Sequence, residues 1–202
     1  MRKIELSQLA VMNIHYQFYP LLHFFKTAQQ LNISNVDLWA GFPHLLIDSN
    51  GTKRAQEIKK IAEAHNMNII CCTPEQVRYP INIASADLDI RKRTLDYLLR
   101  SVDVAEILGA QMLQIVPGYG YYDATEKTSS WDNLVLSMKE LCKYAAKKGI
   151  TVLLEPLQII ESNLVNDRFD AKRLVDDVQN DALKIVVDTT HMSLRGEKLE
   201  QY

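Results

Sequence analysis

Apolar residues recur along this chain in two alternating rhythms. Short apolar runs mark strands at residues 4–12, 35–39 (N-V-D-L-W), 68–73 (N-I-I-C-C-T), 111–116 (Q-M-L-Q-I-V), 151–154 (T-V-L-L) and 183–188. Between them the spacing turns helical. Residues 21–31 place Leu21, Leu22, Phe24, Phe25, Ala28 and Leu31 on one stripe, and 52–65 do the same with Ala55, Ile58, Ile61 and Ala62. Further helices are predicted over 87–108, 130–148 and 170–178, with another beginning near 193. Ser85 or Asp87 suits the N-cap of the third helix, and Gly109 and Gly149 suit helix stops. Residues 13–20, rich in aromatics, 41–51 and 118–128 read as loops.

This is a strand–helix unit repeated about six times. Alternating units of that kind make a parallel sheet, because right-handed crossovers lay each helix on the sheet's face. No linker or low-complexity stretch interrupts the pattern, so residues 1–202 are expected to form a single domain. An open, doubly wound sheet would carry a glycine-rich phosphate loop after an early strand. Neither G-x-G-x-x-G nor G-x-x-x-x-G-K-[ST] occurs. Polar residues instead close several strands: Trp39, Glu75, Glu155 and Asp188. That distribution belongs to the (β/α)8 barrel, whose functional groups sit at the C-terminal ends of its strands. The expected class is therefore α/β, of the (β/α)8 TIM-barrel type. The full fold needs eight strands and about 250 residues. Six units are legible here, so an incomplete barrel lacking its last two βα units is expected.

Composition narrows the partners. The chain is 47% hydrophobic and 24% charged, with a net charge of −2. It offers no basic footprint for nucleic acid and no apolar run of the ~18 residues that suits a membrane span. The start, M-R-K-I-E-L-S, lacks the apolar core of a signal peptide. Cys71, Cys72 and Cys142 are odd in number and form no C-x-x-C, which points to reduced, buried thiols in a cytoplasmic protein.

Chemistry concentrates at two strand ends. T-V-L-L runs into Glu155, and Pro156 then stops the ladder because it has no N–H to donate. K-I-V-V runs into Asp188, with His191 three residues on. Neighbouring parallel strands lie about 4.8 Å apart, so the two acids would share one mouth. Carboxylates that close repel unless a proton or a cation sits between them. Oxygen ligands with an imidazole nearby suit a divalent metal, Mn²⁺ first, with Mg²⁺, Co²⁺ or Zn²⁺ as alternatives. Other strand-end groups carry two readings each. Trp39 stacks on a ligand or packs; Glu75 contacts a ligand or caps a turn; His44 contacts a ligand or serves its loop. Tyr119, Tyr121 and Tyr122 form a lid or merely line the surface.

Six motifs carry a resemblance: G-F-P-H (41–44), T-P-E (73–75) with Y-P-I-N (79–82), L-E-P-L (154–157) with E-S-N (161–163), and V-D-T-T-H-M (187–192). Together they resemble the sugar isomerase/epimerase family with the xylose isomerase-like TIM barrel, which also holds an endonuclease IV branch. The resemblance implies that Glu155 is a metal ligand and one of two acid/base carboxylates, and that Asp188 is a second metal ligand. It implies that Glu161 and His191 hydrogen-bond the substrate near its carbonyl. The implied reaction is epimerisation of a ketose or ketosamine at C3 through an enediolate, with a small sugar as partner and a homo-oligomer as a common assembly. It also implies a further His and Glu on strands seven and eight, so impaired turnover is expected of these 202 residues. Two alternatives remain at this point: a non-catalytic sugar-binding remnant or subunit, and, less favoured by charge and histidine count, a metal-dependent endonuclease acting at abasic sites.

Overall fold

The structure, a computed structural model, describes residues 3–122 and 124–202. Six strands form one sheet whose hydrogen-bonded order follows the chain: β1 (Ala10–Met12), β2 (Asn35–Ala40), β3 (Asn68–Pro74), β4 (Met112–Ile115), β5 (Thr151–Leu154) and β6 (Leu183–Ile185). The registered pairs β1–β2, β2–β3, β3–β4 and β5–β6 are all parallel. The intervening helices are α1 (Leu21–Gln30), α2 (Gly51–Ala64), α3 (Leu88–Leu108), α4 (Ala124–Lys147), α5 (Arg168–Val178) and α6 (Thr189–Leu194). This is the barrel-type βα succession that the hydrophobic rhythm predicts. No helix among the described residues is long and apolar enough to cross a membrane.

The chain divides into two compact units, each described here by itself: residues up to Glu75 with Arg100–Leu113, and Gln76–Leu99 with Gln114–Tyr202. In the first, Phe24, Phe25 and Ala28 of α1 and Ala55, Ile58 and Ala62 of α2 are buried, as are Val36 and Leu38 of β2. These are most of the positions the helical and strand periods select; of the expected stripes, Leu22 and Leu31 are exposed and Ile61 is half-buried. A shift in the β2–β3 register between Val36 and Asp37 leaves Ile70 without a partner on β2. Its carbonyl accepts from Gln111 N at 3.2 Å instead. Beyond this bulge Asp37 lies opposite Cys71, and Thr73 Oγ1 donates to Asp37 Oδ1 at 2.8 Å.

In the second unit, Leu134, Met138, Leu141, Cys142 and Ala145 of α4 are buried, as are Val152 and Leu154 of β5 and Ala171, Leu174 and Val178 of α5. Asp167 caps α5, accepting from Phe169 N and Asp170 N. Asp87 caps α3 in the same way, its Oδ1 accepting from Asp89 N and Ile90 N. All three cysteines are buried and no disulfide joins them among the described residues, as their spacing indicates.

Four element boundaries depart from expectation. The first strand covers only Ala10–Met12, because polar Glu5, Ser7 and Gln8 form a 3-10 turn in which Glu5 N donates to Gln8 Oε1 at 3.0 Å. Residues 13–16 are likewise a 3-10 turn. α4 starts at Ala124, earlier than the helix expected from 130; Asp123, in the loop expected over 118–128, lies outside the described residues. The last strand stops at Ile185, and the next helix begins at Thr189, well before 193. The reason for that early start is Asp188, whose side chain closes the helix N-terminus.

Candidate active site

Glu155 is held from both sides of its strand end. Its N–H donates to Ile115 O at 3.0 Å, and Val186 N donates to Leu154 O at 2.9 Å. The ladder thus runs one residue past β5 before Pro156 ends it. Along β5 the buried positions are Val152 and Leu154, so Glu155 takes the opposite face with Thr151 and Leu153. On β4 the same alternation places Gln114 on the face away from buried Leu113 and Ile115. Gln114 Nε2 donates to Glu155 Oε2 at 2.8 Å.

Burial raises the Glu155 pKa above the ordinary carboxylate value; the Gln114 hydrogen bond opposes this, and the nearby Asp188 charge adds to it. Asp188 follows β6 as the N-cap of α6. Its Oδ1 accepts from Thr190 N at 2.6 Å and His191 N at 3.3 Å. Capping therefore fixes the carboxylate's orientation.

His191 lies on the first turns of α6. Its Nδ1 accepts from Gln158 N at 3.2 Å, so the neutral ring carries its proton on Nε2. Nε2 stands 3.8 Å from Glu161 Oε2, beyond hydrogen-bond range. That Glu161 oxygen is buried and accepts no hydrogen bond among the described residues. The loop between β5 and α5 presents Glu161 through a turn in which Glu161 N and Ser162 N both donate to Gln158 O. Asn166 Nδ2 closes the loop on Leu157 O at 2.7 Å and Ser162 O at 2.8 Å.

Glu155, Asp188 and His191 each bring one ligand atom into a group whose members all lie within 4.8 Å of one another. Donors on a metal with bonds near 2.1 Å sit roughly 3–4 Å apart, so a small contraction would accommodate a divalent cation. The donor chemistry fits in part. Glu155 and Asp188 offer carboxylate oxygens, whereas both nitrogens of His191 are otherwise disposed, Nδ1 to Gln158 and Nε2 to its proton. His191 is thus built as an N–H donor beside a two-carboxylate site.

Trp39, Glu75 and His44 belong to the first unit. Trp39 Nε1 donates to Glu75 Oε2 at 3.0 Å, and both side chains are buried. Gly41 lies against the indole: a Cβ there would come within 2.1 Å of the ring. His44 uses both ring nitrogens, Nδ1 accepting from Asn13 Nδ2 and Nε2 donating to Tyr19 O, each at 2.8 Å. No ring nitrogen is left for a ligand, so His44 serves its loop and not a sugar.

Three asparagines, two of them letters of the motifs above, have a shared task. Asn13 accepts from Trp39 N and donates to Trp39 O. Asn82 does the same with Tyr119, at 3.1 and 2.8 Å. Asn163 does it with Gly120, at 2.9 and 2.8 Å. Each amide pairs with one residue as a strand would. Asn82 and Asn163 thereby clamp consecutive residues of the loop after β4. Gly118 precedes them at φ +72°, where a Cβ would lie 2.3 Å from Asn82 Oδ1, so only glycine fits. Gln114 also went unmarked by sequence; its one signal is an amide in an otherwise apolar strand.

Comparison with known proteins matches residues 25–202 to the family described as Xylose isomerase-like TIM barrel. The chain belongs to that family. Fructoselysine 3-epimerase of Shigella flexneri is 29% identical over 187 residues, covering 93% of this chain and 67% of that protein. The chain thus spans about two thirds of that relative's length. In the fold, the crystal structure of D-psicose 3-epimerase with D-tagatose from Clostridium cellulolyticum H10 superposes with a TM-score of 0.78 at 20% identity, covering 95% of this chain and 67% of that one. The 3-keto-D-glucoside 4-epimerase of E. coli gives a TM-score of 0.78 at 17% identity, covering 95% and 72%. The relatives named here are sugar epimerases, and the chain's kinship is with enzymes of the isomerase/epimerase family.

Proposed function

We propose that this chain carries the principal catalytic half of a metal-dependent ketose 3-epimerase. The observation that bears this reading is the convergence of Glu155, Asp188 and His191 within 4.8 Å, with Glu161 beside them. Glu155 and Asp188 would hold the divalent cation, with Mn²⁺ favoured by the oxygen-rich donor set. When bound, such a cation polarises a carbonyl and acidifies the neighbouring C–H.

The chain's own residues do the rest. Glu155, steadied by Gln114, takes or returns the proton at C3. His191 donates its Nε2–H to a substrate oxygen, and Glu161 accepts from a substrate hydroxyl or N–H. Inversion needs an acid or base on each face of the carbon. Glu155 supplies one; the other comes from outside this cluster, on a later strand by the family resemblance. A small-molecule sugar as partner and a cytoplasmic setting accord with this reading, and residues 1–202 act as part of one catalytic domain.

The test is proton exchange in D₂O. With Mn²⁺ present, the chain is incubated with D-psicose and with fructoselysine, and C3 deuteration and epimer formation are followed by NMR. Exchange at C3 that disappears in Glu155→Gln supports the reading. Absence of exchange, together with absence of Mn²⁺ binding, overturns it.

A further inference from the structure

α6 has Asp188 as its cap and His191 on its first turns, yet it is six residues long and none of the six is buried. A helix that short does not hold its own position, because nucleation costs more than so few hydrogen bonds return. Its place is set by what grips its two ends. Asp188 closes the N-terminal end. The C-terminal end closes in a Schellman turn, where Gly196 N donates to Ser193 O at 3.0 Å and Glu197 N to Met192 O at 3.1 Å. Gly196 stands at φ +69°, the left-handed conformation this turn requires.

The turn delivers Glu197 to the N-terminus of α5. Its side chain is only 7% exposed, and both oxygens are engaged. Oε1 accepts from Arg168 Nη1 at 2.6 Å and from the Arg168 backbone N at 3.4 Å. That backbone N–H is one of those the first turn of a helix leaves without an internal partner. Oε2 accepts from the Tyr202 hydroxyl at 2.6 Å. Arg195 Nη2 lies 3.6 Å from Asp167 Oδ2, while Asp167 Oδ1 caps α5. The two residues that open α5 are thus matched in charge by two that follow α6.

The same junction anchors the loop that carries Glu161. Asn166 N donates to Asp170 Oδ2 at 3.1 Å, and its side chain holds Leu157 O and Ser162 O. From that loop Gln158 N reaches His191 Nδ1. The contacts close into a ring: His191 along α6 to Glu197, across to Arg168, back through Asn166 to the Glu161 loop, and from Gln158 to His191 again. Of the ion pairs made by α5 among the described residues, Arg168–Glu197 is the shortest and the most buried; Lys172–Asp176 and Arg173–Asp177 are exposed. Exposed pairs contribute little, whereas losing one partner of a buried pair strands a charge.

We propose that Arg168 and Glu197 are positioning residues for the candidate active site. Their pair fixes α6, and through it the His191 Nε2–H and the Asp188 carboxylate, against Glu155 and Glu161. The inference rests on the ketose reading above for what the site does, and not for how the site is held.

Two measurements test it. In the metal-free chain at mildly alkaline pH, two-bond ¹H–¹⁵N correlation of the imidazole rings reads the tautomer of His191, identified by its loss in His191→Gln. The parent shows one pyrrole-type nitrogen, Nε2, and one pyridine-type nitrogen, Nδ1. Mn²⁺ affinity is read by calorimetric titration. Arg168→Met melts below the parent, because Glu197 loses its partner. Adding Glu197→Gln removes the stranded charge and recovers most of that loss. The double variant nonetheless shows His191 nitrogens averaged between tautomers and binds Mn²⁺ about tenfold or more weakly, the size of effect typical of outer partners of a metal site. Arg168→Lys keeps a cation at the carboxylate and retains the parental ring signature. Lys172→Ala, which breaks the exposed pair on the same helix, changes neither reading. A folded double variant with the parental His191 signature, or with the parental Mn²⁺ affinity, overturns the inference, since the pair would then serve the fold alone. If the parent itself binds no Mn²⁺, the ketose reading falls and the ring signature alone decides.

Discussion

Gln114 Nε2 lies 2.8 Å from Glu155 Oε2, joining two strand positions 41 residues apart. The amide holds the carboxylate at one oxygen, beside Asp188 and His191. Outer partners of this kind typically govern metal affinity by 10–100-fold. Gln114→Leu is therefore expected to weaken Mn²⁺ binding by about tenfold or more in a calorimetric titration, with the circular dichroism spectrum unchanged. Equal affinity in the two proteins would show that the amide does not position a ligand.

Asp188 has two duties that can be separated. Serine caps a helix about as well as aspartate but carries no charge. Asp188→Ser should keep the melting temperature near that of the parent and abolish Mn²⁺ binding. Asp188→Ala should lose both, with about 1 kcal/mol of stability removed along with the cap. Thermal melts with and without Mn²⁺ distinguish the two variants.

Asp37 is a buried acid in the first unit, with Thr73 Oγ1 donating to it. Burial raises its pKa above the ordinary aspartate value, and the hydrogen bonds from Thr73 and Cys71 oppose the rise only in part. A raised carboxyl pKa means that the folded state holds its proton more tightly than the unfolded chain. This group's contribution to stability is then greatest below the unfolded pKa and is lost as pH rises through the folded value. Asp37→Asn should be more stable than the parent at neutral pH, by roughly 2–4 °C if the gain is about 1 kcal/mol, and the difference should shrink toward pH 4. Melts across pH 4–8 check the sign.

Asn163→Ala removes both hydrogen bonds to Gly120. At about 0.5–1.5 kcal/mol each, the expected loss is roughly 1–3 kcal/mol. Amide exchange is the sharper readout: Gly120 N–H, now held by Asn163 Oδ1, should lose protection while core amides of β5 keep theirs.

Most of the fold was legible because its signals are local. The alternation of short apolar runs with helical stripes marks all six strands, and Pro156 and Gly149 punctuate β5. What escaped depended on distant groups or on a side chain acting as backbone. The first strand shrank because Gln8 bonds to Glu5 N. The last helix began early because Asp188 caps it, a duty its place after an apolar run did not disclose. Among the candidate site residues, Glu155, Asp188, Glu161 and His191 were selected from strand-end acids and motif letters, and the structure brings them close to one another. His44 was not separable by sequence from a ligand-binding histidine, since its two partners, Asn13 and Tyr19, lie 31 and 25 residues away. Gln114 was hidden for the same reason.

The paired asparagines also bear on how the protein ages. Deamidation requires the side-chain amide to swing onto the next residue's backbone nitrogen, and it is fastest where that residue is glycine. Asn13, Asn82 and Asn163 have both amide atoms engaged by another segment, and each precedes a bulky residue: Ile14, Ile83 and Leu164. Conversion of any one to aspartate would set a second acceptor against a backbone carbonyl and release its clamp. The same contacts that fix these backbone segments therefore guard them chemically.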